Sequence, residues 1–140
     1  LDDMEILDLC AGTGNISFEF VSRGAKHVLS IDSHPRCVQY LKGNIRELEI
    51  EEQMQVYKSD CVVYCRNAQN IQYDLIFTDP PFHLNFHEEL IQTIFDKKLL
   101  KKGGLLIVEH GKQTDLSSLP TFSFSRNFGN VHFSFLSDEA

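Results

Sequence analysis

Short apolar segments alternate with helical segments along most of this chain, which is the pattern that most restricts its fold. Strands joined through helices form a parallel sheet that the helices cover on both faces. One of these segments, residues 73–78, contains the apolar run Leu75 to Phe77, and an acid and two prolines follow it directly. The alternation predicts an α/β fold with a mostly parallel sheet.

The boundaries of the predicted elements follow from turn residues and apolar spacing. A helix opened by His34-Pro35 has an apolar stripe that ends at Leu48, and Gly24 follows the first helix as a C′ residue. Gly103-Gly104 is expected to end the last helix. The predicted strands are residues 4–9, 28–31, 54–57, 73–78 and 105–109. The other predicted helices are residues 16–22, 61–67 and 86–100.

The last part of the chain predicts an antiparallel hairpin at the edge of this sheet. Residues 122–124 and 131–135 alternate between apolar and polar, and Gly129-Asn130 separates them. Such an alternation around a short glycine turn is typical of a two-stranded hairpin. With the hairpin, the sheet is expected to have about seven strands.

Length and composition indicate one intracellular domain spanning residues 1–140. The 140 residues are 42% hydrophobic, which is enough for a core. No apolar run approaches a membrane span and no signal peptide is evident, so we expect a cytoplasmic chain. The four cysteines are too few for a disulfide scaffold and are expected to be free thiols. Because the first strand begins almost at once, we expect an amino-terminal segment to precede this chain.

The net charge is −7, with 13 basic and 20 acidic residues. This balance argues against a stand-alone nucleic-acid binder, because contacts with phosphates usually need a basic face. It is compatible with an enzyme that acts on nucleic acid through a local basic patch or a basic arm.

A glycine turn follows the first strand, in the pattern Asp8-x-x-x-Gly12-x-Gly14. Ser17 stands where dinucleotide-binding enzymes carry a third glycine. Two glycines let the backbone approach a ligand, and an acid at this strand end suits a ligand with a positively charged amino group rather than a pyrophosphate. Asn15 can cap the helix that follows or contact the ligand, and we expect the cap.

Two further acids follow the second and third strands, and each has two interpretations. Asp32 lies 18 residues after Gly14, a spacing that suits hydrogen bonds with ribose hydroxyls. It is also placed to cap the next helix, although Ser33 can take that role. Asp60 can contact an adenine amine beside the Cys61 backbone, or cap the helix that begins there.

The segment Asp79-Pro80-Pro81-Phe82 ends the fourth strand in a stiff loop, because prolines lack an N–H donor. An acceptor and an aromatic ring there suit a planar base with an exocyclic amine; a proline-stopped turn is the alternative. His83 and His87 have no evident third ligand for zinc. We expect these two histidines in substrate-loop contacts or in solvent, and we expect no metal.

Taken together, the motifs resemble those of a known family. Asp-x-Cys-Ala-Gly-Thr-Gly, followed by Asp32, Asp60 and Asp-Pro-Pro-Phe, resembles the class I S-adenosylmethionine-dependent methyltransferases, whose fold is Rossmann-like. DLCAGTGNISFEFVSRGA with TDPPF resembles the RsmD family more narrowly. That family methylates the exocyclic N2 of a guanine in bacterial 16S ribosomal RNA. The resemblance extends from about Glu5 through the hairpin.

The resemblance implies a role for each motif. Asp8 and the glycine turn would hold the methionine end of the cofactor S-adenosylmethionine, Asp32 would bind its ribose hydroxyls, and Asp60 with Cys61 would meet its adenine. Asp79, Pro80, Pro81 and Phe82 would hold the target base. The chain would act as a monomer on ribosomal RNA within a small-subunit particle. The implied cofactor residues are Asp8, Cys10, Ala11, Gly12, Thr13, Gly14, Asp32, Ser33, Asp60 and Cys61.

Two other functions remain open. One is an amino methyltransferase that acts on adenine N6 or on a glutamine side chain, although those relatives more often carry Asn at the position of Asp79. The other is a catalytically silent module that binds S-adenosylmethionine. Intact acids at four strand ends argue against the silent module.

Overall fold

The computed structural model describes residues 2–79 and 84–137 of the chain. Within these residues the helices are α1 (Asn15–Ser22), α2 (Pro35–Glu47), α3 (Cys61–Asn67) and α4 (Leu84–Asp96). The strands are β1 (Glu5–Leu9), β2 (His27–Asp32), β3 (Met54–Lys58), β4 (Tyr73–Thr78), β5 (Leu100–Gly111), β6 (Phe122–Phe128) and β7 (Val131–Leu136).

The described strands form one seven-stranded sheet in the order β3-β2-β1-β4-β5-β7-β6. Strands β1 to β5 pair in parallel, whereas β7 runs antiparallel to both β5 and β6. The predicted α/β fold and its antiparallel hairpin are therefore confirmed. Gly129 has a φ of 63° in the two-residue loop of the hairpin, a conformation that suits glycine at this position.

Several predicted boundaries agree with the structure. Strand β4 and helix α3 have the predicted bounds, and β1, β2, β3 and α1 agree to within one residue at each end. Gly24 is the C′ residue of α1 with a φ of 97°, as predicted. The N–H of the next residue, Ala25, donates to the carbonyl of Phe20, so this end forms a Schellman motif.

The prediction for the fifth strand was wrong at its start. Helix α4 ends at Asp96, and Gly103-Gly104 lies inside β5 rather than ending a helix. A Cβ atom at Gly104 would lie 2.8 Å from the Lys101 carbonyl oxygen and 3.1 Å from that of Asp74. Glycine is therefore needed here because β5 passes close to its own backbone and that of β4, at the register shift between the two strands.

The hydrophobic core has one layer on each face of the sheet. On one face, Leu9 and Ile76 pack against α3 and α4, while on the other, Ile6 and Val28 pack with Leu41 of α2. Alternate residues of each strand thus enter opposite layers, as buried parallel strands require. Leu48 follows α2 and is exposed, so it does not continue the predicted stripe. No helix of the described residues is both long and apolar enough to span a membrane.

Candidate active site

The candidate site lies at the carboxyl ends of β3, β2, β1 and β4, which are neighbours in the sheet. The chain order reverses at β1, because β2 lies on one side of it and β4 on the other. Open α/β sheets bind ligands at such a switch point. The four predicted acids come to this edge: Asp8 within β1, Asp32 at the end of β2, and Asp60 and Asp79 just after β3 and β4.

The glycine turn between β1 and α1 has two glycines with different surroundings. At Gly14, whose φ is 84°, a Cβ atom would lie 2.3 Å from Leu41 Cδ2, so packing against α2 requires glycine. At Gly12, whose φ is 60°, no heavy atom of the described residues would lie within 4 Å of a Cβ. The turn is therefore packed at Gly14 and open at Gly12.

The other residues of this turn, Cys10, Ala11 and Thr13, are at least partly exposed. Cys10 has a φ of 61°, which is uncommon for a residue with a side chain. Cys10 and Ala11 are half-buried, and Thr13 is exposed. Gly14 is the N-cap of α1 and the helix has no side-chain cap within the described chain, so the prediction that Asn15 caps it was wrong.

Asp32 joins the end of β2 to the glycine turn. One carboxylate oxygen accepts a hydrogen bond from the Gly12 N–H at 2.8 Å, and the other accepts from the His34 N–H at 2.9 Å. The N-cap of α2 is His34, whose Nδ1 accepts from the Arg36 N–H. Ser33 is exposed and does not cap the helix, which corrects the role expected of it. Each Asp32 oxygen keeps a further lone pair for a ligand donor.

Asp60 caps helix α3, since its carboxylate accepts a hydrogen bond from the Val63 N–H at 3.0 Å. The capping interpretation is confirmed, and the contact with adenine stays a prediction. The next residue, Cys61, is buried beside Cys10. A hydrogen bond between the two thiols and the burial of Cys61 raise the pKa of the Cys61 thiol, so it stays protonated.

Asp8 lies beneath the turn and is buried. Its carboxylate accepts a hydrogen bond from the Ser17 hydroxyl, and the Ser17 and Ser30 hydroxyls lie 2.7 Å apart. The pKa of the Asp8 carboxyl is raised to about 7, chiefly by burial and also by the negative charges of Asp79 and Asp32. The hydrogen bond from Ser17 acts in the opposite direction. Asp8 therefore changes its charge near neutral pH.

Asp79 follows β4 and forms a hydrogen bond with Glu109 near the end of β5. Partial loss of solvent raises the pKa of the Asp79 carboxyl, while His87 and the hydrogen bond with Glu109 oppose that rise. Glu109 is not among the site residues predicted from the sequence. The sequence does carry a signal for it, because Glu109 is an acid near the end of the fifth strand. The four predicted acids have the same position relative to their own strands.

The prolines, the aromatic residue and the two histidines predicted to follow Asp79 are the remaining residues of the predicted site. Pro80, Pro81, Phe82 and His83 lie outside the described residues. His87 belongs to α4 and is buried, so the expectation that it lies in solvent was wrong. Within the described part of the chain, no group of three or more His, Cys, Asp or Glu side chains is arranged to hold a metal ion.

Comparison with known proteins places the chain in a family. The family model described as "Conserved hypothetical protein 95" matches residues 1–137. A Haemophilus influenzae protein named "Ribosomal RNA small subunit methyltransferase D" is 34% identical over 114 residues, which are 80% of this chain and 59% of that protein. The chain belongs to the RsmD family. The resemblance drawn from the glycine turn and the Asp-Pro-Pro-Phe motif is confirmed.

Solved structures agree with this membership of the RsmD family. The crystal structure of the Haemophilus influenzae protein HI0767 superposes with a TM-score of 0.86 at 30% identity, covering 95% of this chain and 85% of that one. The fold also matches a coclaurine N-methyltransferase bound to N-methylheliamine and SAH, with a TM-score of 0.65 at 22% identity over 79% of this chain and 31% of that one. The chain spans about three fifths of the length of the first curated relatives in the RsmD family that it matches.

Proposed function

We propose that this protein transfers a methyl group from S-adenosylmethionine to the exocyclic N2 amine of a guanine in 16S ribosomal RNA. The observation that carries the proposal is the row of acids beside an open glycine turn at the switch point of the sheet. Membership of the RsmD family supports ribosomal RNA as the substrate class. We further propose that the chain acts as a cytoplasmic monomer on a small-subunit particle.

The crevice at the carboxyl ends of β3, β2, β1 and β4 suits S-adenosylmethionine in charge and is open to a ligand at Gly12. Asp8 already feels the negative charges of Asp32 and Asp79, so a ligand with positively charged groups would relieve this repulsion. The open space at Gly12 lets a ligand approach the backbone of the turn closely. When bound, S-adenosylmethionine would supply an electrophilic methyl group carried by a sulfonium.

Four sets of residues would hold the cofactor. Asp8 and the turn from Cys10 to Gly14 would face its methionine end. Asp32 would accept hydrogen bonds from the ribose hydroxyls with the lone pairs that Gly12 and His34 leave available. Ser33 would lie beside that sugar. Asp60 and the backbone of Cys61 would meet the adenine.

Asp79 would act on the acceptor amine. The exocyclic amine of guanine is a poor nucleophile because its lone pair is delocalised into the ring. The Asp79 carboxylate and the Pro80 carbonyl would accept hydrogen bonds from the two N–H groups of this amine. These bonds would favour a pyramidal nitrogen and direct its lone pair toward the methyl group. Asp79 would then take one proton from the methylated amine. The partial desolvation of Asp79, which raises the pKa of its carboxyl, favours this acceptance.

Phe82 would stack on the target base, and Pro80 and Pro81 would keep the loop stiff. Stacking of a base on an aromatic ring contributes about 1–3 kcal/mol in single-strand binding. A paired guanine must first leave its helix. Much of the rate enhancement would come from holding the amine and the methyl group in line.

Two other functions compete with this proposal. An amino methyltransferase for adenine N6 or for glutamine would use the same loop, but Asp79 rather than Asn at its first position favours guanine N2. A catalytically silent module that binds S-adenosylmethionine would need no base-holding loop. The product nucleoside distinguishes all three functions.

The test is methyl transfer with the full-length protein. Small-subunit particles and naked 16S ribosomal RNA from a strain that lacks the modification are incubated with labelled S-adenosylmethionine, and the digested nucleosides are identified. We expect N2-methylguanosine. N6-methyladenosine would support the adenine alternative, and S-adenosylmethionine binding without transfer to either substrate would support the silent module.

A further inference from the structure

Glu109 lies beside Asp79 because β4 and β5 run in parallel register. Thr78, the last residue of β4, pairs with Val108, and Asp79 and Glu109 directly follow these two residues in the chain. Adjacent strands lie about 4.8 Å apart, and neighbours in register point to the same face. The Asp79 and Glu109 carboxyl groups are hydrogen-bonded to each other.

The backbone that carries Glu109 is held firmly on its other side. Glu109 pairs with Phe133 of β7, and the next residue, His110, is buried. His110 Nε2 lies 2.7 Å from the Ser134 hydroxyl, and its Nδ1 lies 2.9 Å from the Gly111 carbonyl oxygen. Since a carbonyl only accepts, Nδ1 donates to Gly111 and Nε2 accepts from Ser134. Both ring nitrogens are thus satisfied, and the end of β5 is fixed to β7.

A hydrogen bond between two carboxyl groups requires that one of them keeps a proton. Burial and the charge of Asp79 raise the pKa of the Glu109 carboxyl, while the bond itself lowers the pKa of Asp79. The groups around Asp79 agree with this assignment, because His87 of α4 favours an ionised Asp79. Asp8 of β1 is a further charged neighbour among the described residues, and it is near its own pKa at pH 7. When the two carboxyl groups share a proton, their hydrogen bond therefore favours Glu109 as the donor and Asp79 as the acceptor.

We propose that Glu109 is a positioning residue for Asp79, in which its protonated carboxyl donates a hydrogen bond to one Asp79 oxygen and leaves the other oriented toward the acceptor amine. This inference rests on the proposed function, because it concerns the carboxylate that would hold the amine. It assigns a role to a residue at the end of β5, outside both the glycine turn and the Asp-Pro-Pro-Phe loop.

Two substitutions separate the hydrogen bond from the charge. Glu109→Gln keeps a donor of similar shape and never ionises, so it mimics the protonated acid. Glu109→Ala removes the donor. Because a hydrogen bond to a charged group is stronger than a neutral one, we expect the alanine variant to lose about 10-fold or more in kcat. We expect the glutamine variant to stay within about 3-fold of the wild type.

The experiment measures kcat and KM for methyl transfer by the full-length protein from pH 5.5 to 9, together with S-adenosylmethionine affinity and thermal unfolding. We expect the wild-type kcat to fall as the pH rises through the pKa of Glu109, because the donor is lost. The Glu109→Gln variant should lack this fall. Glu52→Gln, in the exposed turn before β3, is the matched control and should behave as the wild type.

The outcomes divide clearly. A large loss of kcat in the alanine variant with rescue by glutamine, at unchanged cofactor affinity, supports the inference. Equal losses of kcat in both variants would mean that the charge of Glu109 matters rather than its proton. Unchanged kcat in both variants would mean that Glu109 has no role. Either result overturns the inference. A wild-type protein without methyl transfer would instead overturn the proposed function, and the two failures are therefore distinguishable.

Discussion

The Asp32 carboxylate accepts a hydrogen bond from the backbone N–H of Gly12 at 2.8 Å, which joins the end of β2 to the glycine turn after β1. The contact spans two neighbouring strands and fixes the turn where its surface is open. It also leaves lone pairs of the carboxylate available to a ligand. The same side chain thus shapes the turn and offers an acceptor beside it.

Asp32→Ala should lose the stabilisation that S-adenosylmethionine gives to the wild type. The variant removes the proposed ribose acceptor and frees the Gly12 N–H. Asp74→Ala is a matched control at the start of β4, because the Asp74 carboxylate accepts a backbone N–H from Glu5 at 2.8 Å outside the crevice. Thermal unfolding with and without cofactor checks this prediction. Equal cofactor shifts in both variants would show that Asp32 does not bind the ligand.

Alanine substitutions at the two glycines of the turn should have different effects. Gly14→Ala should lower the melting temperature, because its Cβ would lie 2.3 Å from Leu41 Cδ2. Gly12→Ala meets no atom of the described residues and should cost about 1–2 kcal/mol of unfolding free energy for its positive φ. It should nevertheless weaken cofactor binding, because its methyl group points into the space that the ligand would use.

Chemical denaturation and calorimetric titration check these two variants together. We expect Gly14→Ala to be the less stable of the two, and Gly12→Ala to retain its fold with a weakened affinity for S-adenosylmethionine. Wild-type affinity in a folded Gly12→Ala variant would mean that the ligand does not approach the turn there.

Asp8 should make the stability of the ligand-free protein depend on pH. The pKa of this carboxyl is raised from 3.8 to about 7. The unfolded chain therefore releases the proton first as the pH rises, and the free energy of unfolding falls between about pH 4 and 7. Asp8→Asn stays neutral, and its amide oxygen can still accept from Ser17, so its advantage should grow over this range by up to about 4 kcal/mol.

Denaturation of both proteins at pH 4 to 8.5 measures this difference. Comparing the two proteins at each pH cancels the contributions of the other titrating groups, including His110. Burial lowers the pKa of His110, so its protonation in the unfolded chain destabilises both proteins below about pH 6.5. A difference between wild type and Asp8→Asn that is independent of pH would contradict the raised pKa.

Asp79→Ala should abolish methyl transfer while leaving most of the affinity for S-adenosylmethionine. Asp79→Asn keeps an acceptor for the amine but is a poor base, so we expect kcat to fall by about 10²-fold or more. Rates and cofactor affinities of both variants are measured with the full-length protein. A wild-type rate in Asp79→Asn would mean that solvent takes the proton. Loss of cofactor binding in Asp79→Ala would mean that Asp79 is structural.

Much of the fold was predictable because local signals and tertiary packing agree. The apolar run of β4 is bounded by clear turn residues, and the stripe on α2 enters the core at Val38, Leu41 and Ile45. The start of β5 was not predictable from local signals. Two glycines usually end a helix, whereas Gly104 is required here by the carbonyl oxygens of Lys101 and Asp74, which only the folded sheet brings close.

The candidate site was likewise predictable where local signals determine it and not where tertiary packing does. The acids at the strand ends could be located because each follows an apolar segment. The partners of these acids depend on which strands are neighbours and in what register, which a single sequence does not reveal. The hydrogen bonds of Asp8 with Ser17 and of Asp79 with Glu109 both join residues from different elements. The caps of α1 and α2 were also missed, because Gly14 has no side chain to make a capping bond and His34 is outside the usual set of N-cap residues.

Calorimetric titration of the full-length protein with S-adenosylmethionine measures whether the acid-lined crevice binds this compound. We predict binding at one site per chain for the wild type and for Asp74→Ala, and a severe loss of affinity for Asp32→Ala. No binding heat and no thermal stabilisation of the folded wild-type protein would mean that the crevice is not a site for S-adenosylmethionine.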